Sequence, residues 1–153
     1  MFKKVLITLL VILVVLQFIR PSKNSSEGIS SNDISLVYGM PDAVHDILVQ
    51  KCYDCHSNST YYPWYSNIQP VGWWLNSHIN EGKEHLNFSE FGTYDSKKSN
   101  HKLEELSEAV TEGWMPLESY VWMHPQTRIT LKETEMINNW IQSVGVTIKS
   151  EEE

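Results

Sequence analysis

The chain has 153 residues, 41% of them hydrophobic, and a formal net charge of −7. That length gives one compact domain with material for a core. Three of its 12 basic residues, Lys3, Lys4 and Arg20, fall in the first twenty positions, leaving 9 basic against 19 acidic side chains beyond them. A surface so acidic repels phosphate backbones and anionic lipid headgroups, which argues against nucleic acid and favours a cationic protein or a small neutral ligand. Six Trp and seven Tyr are many for this length and serve equally as core or as walls for a flat apolar group.

In chain order, Lys3 and Lys4 precede Val5 to Ile19, a run apolar apart from Thr8 and Gln17, closed by Arg20-Pro21. A helix of those fifteen residues is about 22 Å long, short of the ~30 Å hydrocarbon core. Adding Phe2, and letting the flanking cations snorkel, would let it span a thinned bilayer. RPSKNSS offers no small-x-small cleavage site, so residues 1–20 read as an uncleaved signal anchor or transmembrane helix, ahead of a cleaved signal and of a buried helix of the domain. The rest of the chain would then face the periplasm from an inner membrane. Residues 21–38, rich in Ser and Asn, read as a flexible tether; 39–145 as the folded domain; and 146–153 as a frayed acidic tail.

Within the domain, Pro41-Asp42 opens a helix to about Tyr53, with Val44, Ile47, Leu48 and Lys51 at i, i+3, i+4 and i+7. A turn-rich loop with Pro63 and Pro70 follows, then a helix over Val71 to Leu86 carrying Trp74, Ser77, His78, Glu81 and His85 on a broad face. After a loop over 87–100, a helix from about Lys102 to Glu112 sets Leu103, Leu106 and Val110 on one side, and Gly113 caps it. Thr130 and Glu133 form a capping box for a last helix bearing Leu131, Thr134, Met136, Ile137, Trp140 and Ile141, ended by Gly145. No strand signal of any length occurs. The expected class is all-α.

Both cysteines stand in Cys52-Tyr53-Asp54-Cys55-His56. This is the C-x-x-C-H spacing by which two thiols join the two vinyl groups on one edge of a porphyrin, while the adjacent His56 supplies an imidazole to the iron. A disulfide so local would close too small a loop to stabilise much. A thioredoxin-like pair wants a βαβ setting that is not visible, and a zinc site wants a second pair of ligands. Cys52 and Cys55 therefore read as thioether sites of one covalent haem c, and His56 as its proximal ligand. A carbonyl in the loop over 57–70 is the expected acceptor for the other ring nitrogen of His56.

A distal ligand is usually Met or His. Met115, in Gly113-Trp114-Met115-Pro116-Leu117, leads because Pro116 stiffens the backbone beside it. Met123, His124, His78, His85 and an open site remain alternatives. Met40 precedes the motif helix and Met136 fits the last helix's buried stripe, so both are weaker candidates.

The order of short helix, CYDCH, Met-Pro loop and LTLKETEMINNWI resembles the class I cytochrome c fold. More narrowly, CYDCHSNSTYYPWYSNIQPVGWWLNSHINEGKEHLNFSEFG with GWMPLESYVWMHPQTRIT is similar to the bacterial haem-binding domain family, over roughly residues 40 to 143. The resemblance implies a membrane-anchored, periplasm-facing domain with Cys52 and Cys55 as thioether sites, His56 as axial ligand, and Met115 at the Met-Pro position of the distal ligand. Leu117 and the bulky 61–91 segment depart from the commonest cytochrome pattern. The expected function is a monohaem electron carrier rather than a catalyst, with an unidentified redox partner bearing a basic patch. The rival is a small-ligand sensor or peroxidase-like enzyme with an open distal site.

Overall fold

A computed structural model describes residues 1–145, so the acidic tail expected over 146–153 lies outside the described residues. The elements are α1 (Phe2–Leu16), α2 (Ile34–Val37), α3 (Asp42–Lys51), α4 (Tyr53–His56), α5 (Val71–His85), α6 (Ser96–Glu112), α7 (Glu118–Met123) and α8 (Leu131–Ser143). Short 3-10 turns lie at Trp64–Asn67, Phe88–Thr93 and Pro125–Thr127. No strand occurs among the described residues, and the class is all-α.

The core forms where α3, α6 and α8 meet. Val44, Ile47, Leu48 and Lys51 are all buried, as their helical spacing requires, and they face Leu103, Leu106 and Val110 of α6 and Ile137, Trp140 and Ile141 of α8. Met40 and Phe88 close the same cluster, with Met136 packed against it. Helix α6 begins at Ser96, earlier than its apolar residues indicate, because the Asp95 carboxylate accepts from the Lys98 backbone N–H at 2.8 Å and caps it. Gly113 ends it in the left-handed conformation, φ 75°. The capping box at Thr130 and Glu133 is formed, but Leu131 lies on the exposed side of α8.

The amino-terminal elements differ more from expectation. No helix among the described residues is long and apolar enough to cross a membrane. Helix α1 stops at Leu16 because the Gln17 side chain turns to the domain, donating to the Gln69 carbonyl at 3.2 Å and accepting from the Gln69 N–H at 2.9 Å. Within residues 21–38, expected as a tether, Asn24 and the stretch around Asp33 and Ile34 lie against the domain, while 25–29 are exposed. Asn24 donates from its side chain to the Ser57 carbonyl and the Thr60 hydroxyl, and its carbonyl takes the Thr60 N–H. Ile34 is fully buried in the core cluster, and Asp33 accepts the Tyr53 hydroxyl at 3.0 Å. Composition alone reads Ser and Asn as solvated. Here the Asn24 side-chain amide satisfies the Ser57 carbonyl in the loop after the motif.

Candidate functional site

The motif helix α4 follows α3 after a one-residue break at Cys52 and packs against α3 and α5. Its approach to α5 is close: a Cβ on Gly82 would lie 2.6 Å from the Cys55 carbonyl oxygen, so only glycine fits there. This closeness lets the carbonyl of Leu86, at the end of α5, reach His56 Nδ1 at 3.0 Å. The acceptor thus comes from α5 and not from the 57–70 loop, where the sequence reading sought it. With Nδ1 donating to that carbonyl, Nε2 keeps its lone pair for a metal. Burial lowers the His56 pKa, with the Leu86 carbonyl opposing, so the imidazole is held neutral, its ligating form. Burial pushes the Cys52 thiol up to about 12, with Cys55 adding and Lys51 opposing; burial and Asp54 push Cys55 up to about 11. The two cysteines form no disulfide.

Cys52, Cys55 and His56 border a cavity of about 560 Å³. Leu86 and Phe88 line it on the motif side; Leu106, Ala109 and Val110 of α6 line it elsewhere. Met115, Pro116 and Leu117 form a further wall, positioned by the Met115 N–H donating to the Ala109 carbonyl at 3.3 Å. Among the alternatives for an iron ligand, His78 and His85 also border this cavity, both from α5. Met123 does not; it borders a neighbouring cavity of about 360 Å³. His124 borders neither, and both its ring nitrogens are engaged, Nε2 with the Tyr65 hydroxyl at 3.1 Å and Nδ1 with the Tyr120 carbonyl at 3.3 Å. Among the described residues, no three His, Cys, Asp or Glu side chains converge to hold a bare metal ion.

Two contacts tie the motif to the Met-bearing segment, and sequence reading found neither. Asp54, inside the motif, accepts the Tyr120 hydroxyl on Oδ2 at 2.7 Å and the Tyr61 N–H on Oδ1 at 2.9 Å. Burial, then the hydrogen bond to Asp54, raises the Tyr120 pKa, so it remains a phenol donor. Lys51, almost fully buried, donates to the Arg128 carbonyl at 2.8 Å and to Glu133 Oε2 at 2.9 Å. Burial acts to raise the Glu133 pKa, but hydrogen bonds from the Thr130 N–H, Lys51 and the Thr130 hydroxyl outweigh it, and the pKa is lowered. A buried lysine is legible as such at i+7 of α3, but its partner lies 82 positions away.

An all-α domain round a largely apolar cavity, with two sulfurs and a metal-competent imidazole on its rim, is an architecture that suits haem. The chain belongs to the haem-binding domain family, whose profile matches residues 11–143. The match reaches well upstream of residue 40 and so takes in the stretch that docks through Asn24 and Ile34. Searches among curated proteins and among solved structures each found no match.

Proposed function

We propose that this haem-binding domain holds one haem c covalently through Cys52 and Cys55, with His56 as proximal ligand and Met115 as distal ligand, and that it serves as an electron carrier. One observation carries the reading: a single cavity brings both thiols, His56 and Met115 together. When bound, the haem iron supplies a one-electron ferric–ferrous couple. The chain's own groups do the rest. Leu86 fixes the His56 tautomer through Nδ1, the two sulfurs retain the cofactor, and Leu106, Ala109, Val110 and Phe88 keep water from it. Met115 is favoured over His78 and His85 because those two stand on α5, the helix whose terminal carbonyl already holds His56, whereas Met115 comes from the segment after α6.

We further propose that helix α1, which has no buried residue and is apolar from Val5 to Leu16 apart from Thr8, lies in the lipid of an inner membrane, with the domain on the periplasmic side. The acidic balance beyond residue 20 suits a redox partner with a basic surface.

The optical spectrum of protein made with a cytochrome c maturation system tests the ligation. A low-spin spectrum with a near-infrared Met–iron band, lost in Met115→Ala and kept in Met123→Ala, is the expected result. A five-coordinate high-spin spectrum in both oxidation states would overturn electron carriage and favour the ligand-binding alternative, with His78 or His85 beside an open site.

A further inference from the structure

Asn24, half-buried in a stretch whose composition suggests a linker, uses every polar group it has. Its backbone N–H donates to the Tyr62 hydroxyl at 2.7 Å, and its carbonyl accepts the Thr60 N–H at 3.0 Å. Its side-chain Nδ2 donates to the Ser57 carbonyl at 2.8 Å and to Thr60 Oγ1 at 2.9 Å, while Oδ1 accepts from Lys83 Nζ at 2.6 Å. A carbonyl can only accept and an ammonium can only donate, so these partners fix which way the amide points. Upstream, the chain is already seated at Gln17 on the Gln69 backbone and at the Ile19 carbonyl, which takes the Trp73 indole N–H at 2.8 Å.

The partners of Asn24 lie on the two elements whose spacing sets His56. Ser57 follows His56 and caps α4, a helix of one turn with too few internal bonds to hold its own end. Thr60 carries the restraint back into the motif, donating to the Asp54 carbonyl at 2.6 Å. Lys83 stands in the last turn of α5, next to Gly82, the residue packed against the Cys55 carbonyl. Asn24 thus bridges the end of α4 to the end of α5, the two ends between which His56 Nδ1 and the Leu86 carbonyl meet at 3.0 Å. A network of this kind keeps its geometry only while each member is satisfied.

We propose that Asn24 is a positioning residue for His56: by joining Ser57 to Lys83 it keeps the imidazole where Nδ1 donates to Leu86 and Nε2 stays open for iron. The segment that leaves α1 is in this way part of the site, in keeping with a family profile that takes in residue 24. The effect on ligation rests on the haem reading above; the effect on the ring itself does not.

The test is made on the full chain in detergent, with and without haem, and uses Asn24→Ala, Lys83→Met and Lys83→Arg. Without haem and with the thiols reduced, the ring-nitrogen NMR shifts of His56 report which nitrogen bears the proton. Wild type and Lys83→Arg, which keeps a donor for Asn24 Oδ1, are expected to carry it on Nδ1. Asn24→Ala and Lys83→Met are expected to lose that state in favour of a proton on Nε2. With haem, the same two variants are expected to show a reduction potential above wild type, because an imidazole without its carbonyl partner is a poorer donor to ferric iron. Lys83 lies outside the core cluster, so its variant tests the bridge even where Asn24→Ala does not fold. A lowered melting temperature with the wild-type tautomer retained in either variant overturns the bridge and leaves the haem reading standing. A shifted tautomer in a chain that never takes up covalent haem overturns that reading and leaves the bridge.

Discussion

The two sides of the cavity are built by different means. On the motif side, Cys52, Cys55 and His56 sit within five residues, on a short helix set by α3 and α5, and one carbonyl orients the imidazole. On the Met115 side, residues 113–130 hold only a six-residue helix and a 3-10 turn, and their position depends on contacts with residues far away in sequence. Tyr120 reaches back 66 positions to Asp54, and the Arg128 carbonyl is bound by Lys51. A motif of five consecutive residues can be specified locally. The opposite wall has to be clamped to it, and the clamps are a phenol–carboxylate bond and a buried ammonium.

The clamp at Lys51 is the place where the two sides are most strongly joined. Glu133→Gln leaves a buried ammonium without its counter-charge, with an expected cost of about 3 kcal/mol near neutral pH, read by denaturant unfolding. The Glu133 pKa is depressed in the fold, so the pair's contribution is complete above the ordinary carboxylate range and is lost as pH falls through the folded value. The gap between wild type and variant should therefore close in acid; a gap constant with pH would contradict the ion pair.

Gly82→Ala acts on the motif side alone. Its Cβ drives α5 from the Cys55 carbonyl, with an expected cost of about 2 kcal/mol and a lower yield of attached haem. Undiminished yield and melting temperature would show that α5 and α4 do not meet so closely. Tyr120→Phe acts on the Met115 side. Loss of its bond to Asp54 should cost about 1 kcal/mol and weaken the Met–iron band while leaving attachment at Cys52 and Cys55 intact. If the band were unchanged, the segment would be held by something other than this clamp. Smallest of all, Arg128→Ala removes a fully exposed pair with Glu118 and should leave melting temperature and spectrum unchanged.

The same contrast explains what the sequence made legible. The motif, the buried stripe of α3, the Gly113 cap and the capping box at Thr130 are local patterns, and each is read from a few neighbouring residues. Leu86 as the partner of His56, the need for glycine at 82, and the Asp54–Tyr120 bond arise only when α4, α5 and α7 are brought together. No spacing rule announces them. The stretch over 21–38 shows the converse error: a composition typical of linkers hides Asn24, Asp33 and Ile34, three residues with specific partners in the fold. Helix α7 escaped notice because six residues are too few for a periodic signal.

The most direct measurement is the intact mass of the polypeptide after export in cells with a cytochrome c maturation system, taken under denaturing conditions that strip any haem held without bonds. The proposed attachment predicts the chain mass plus one haem, reverting to the bare chain mass when Cys52 and Cys55 are both changed to Ala. A bare mass for the wild-type chain, or haem that washes out with acid and organic solvent, would contradict it.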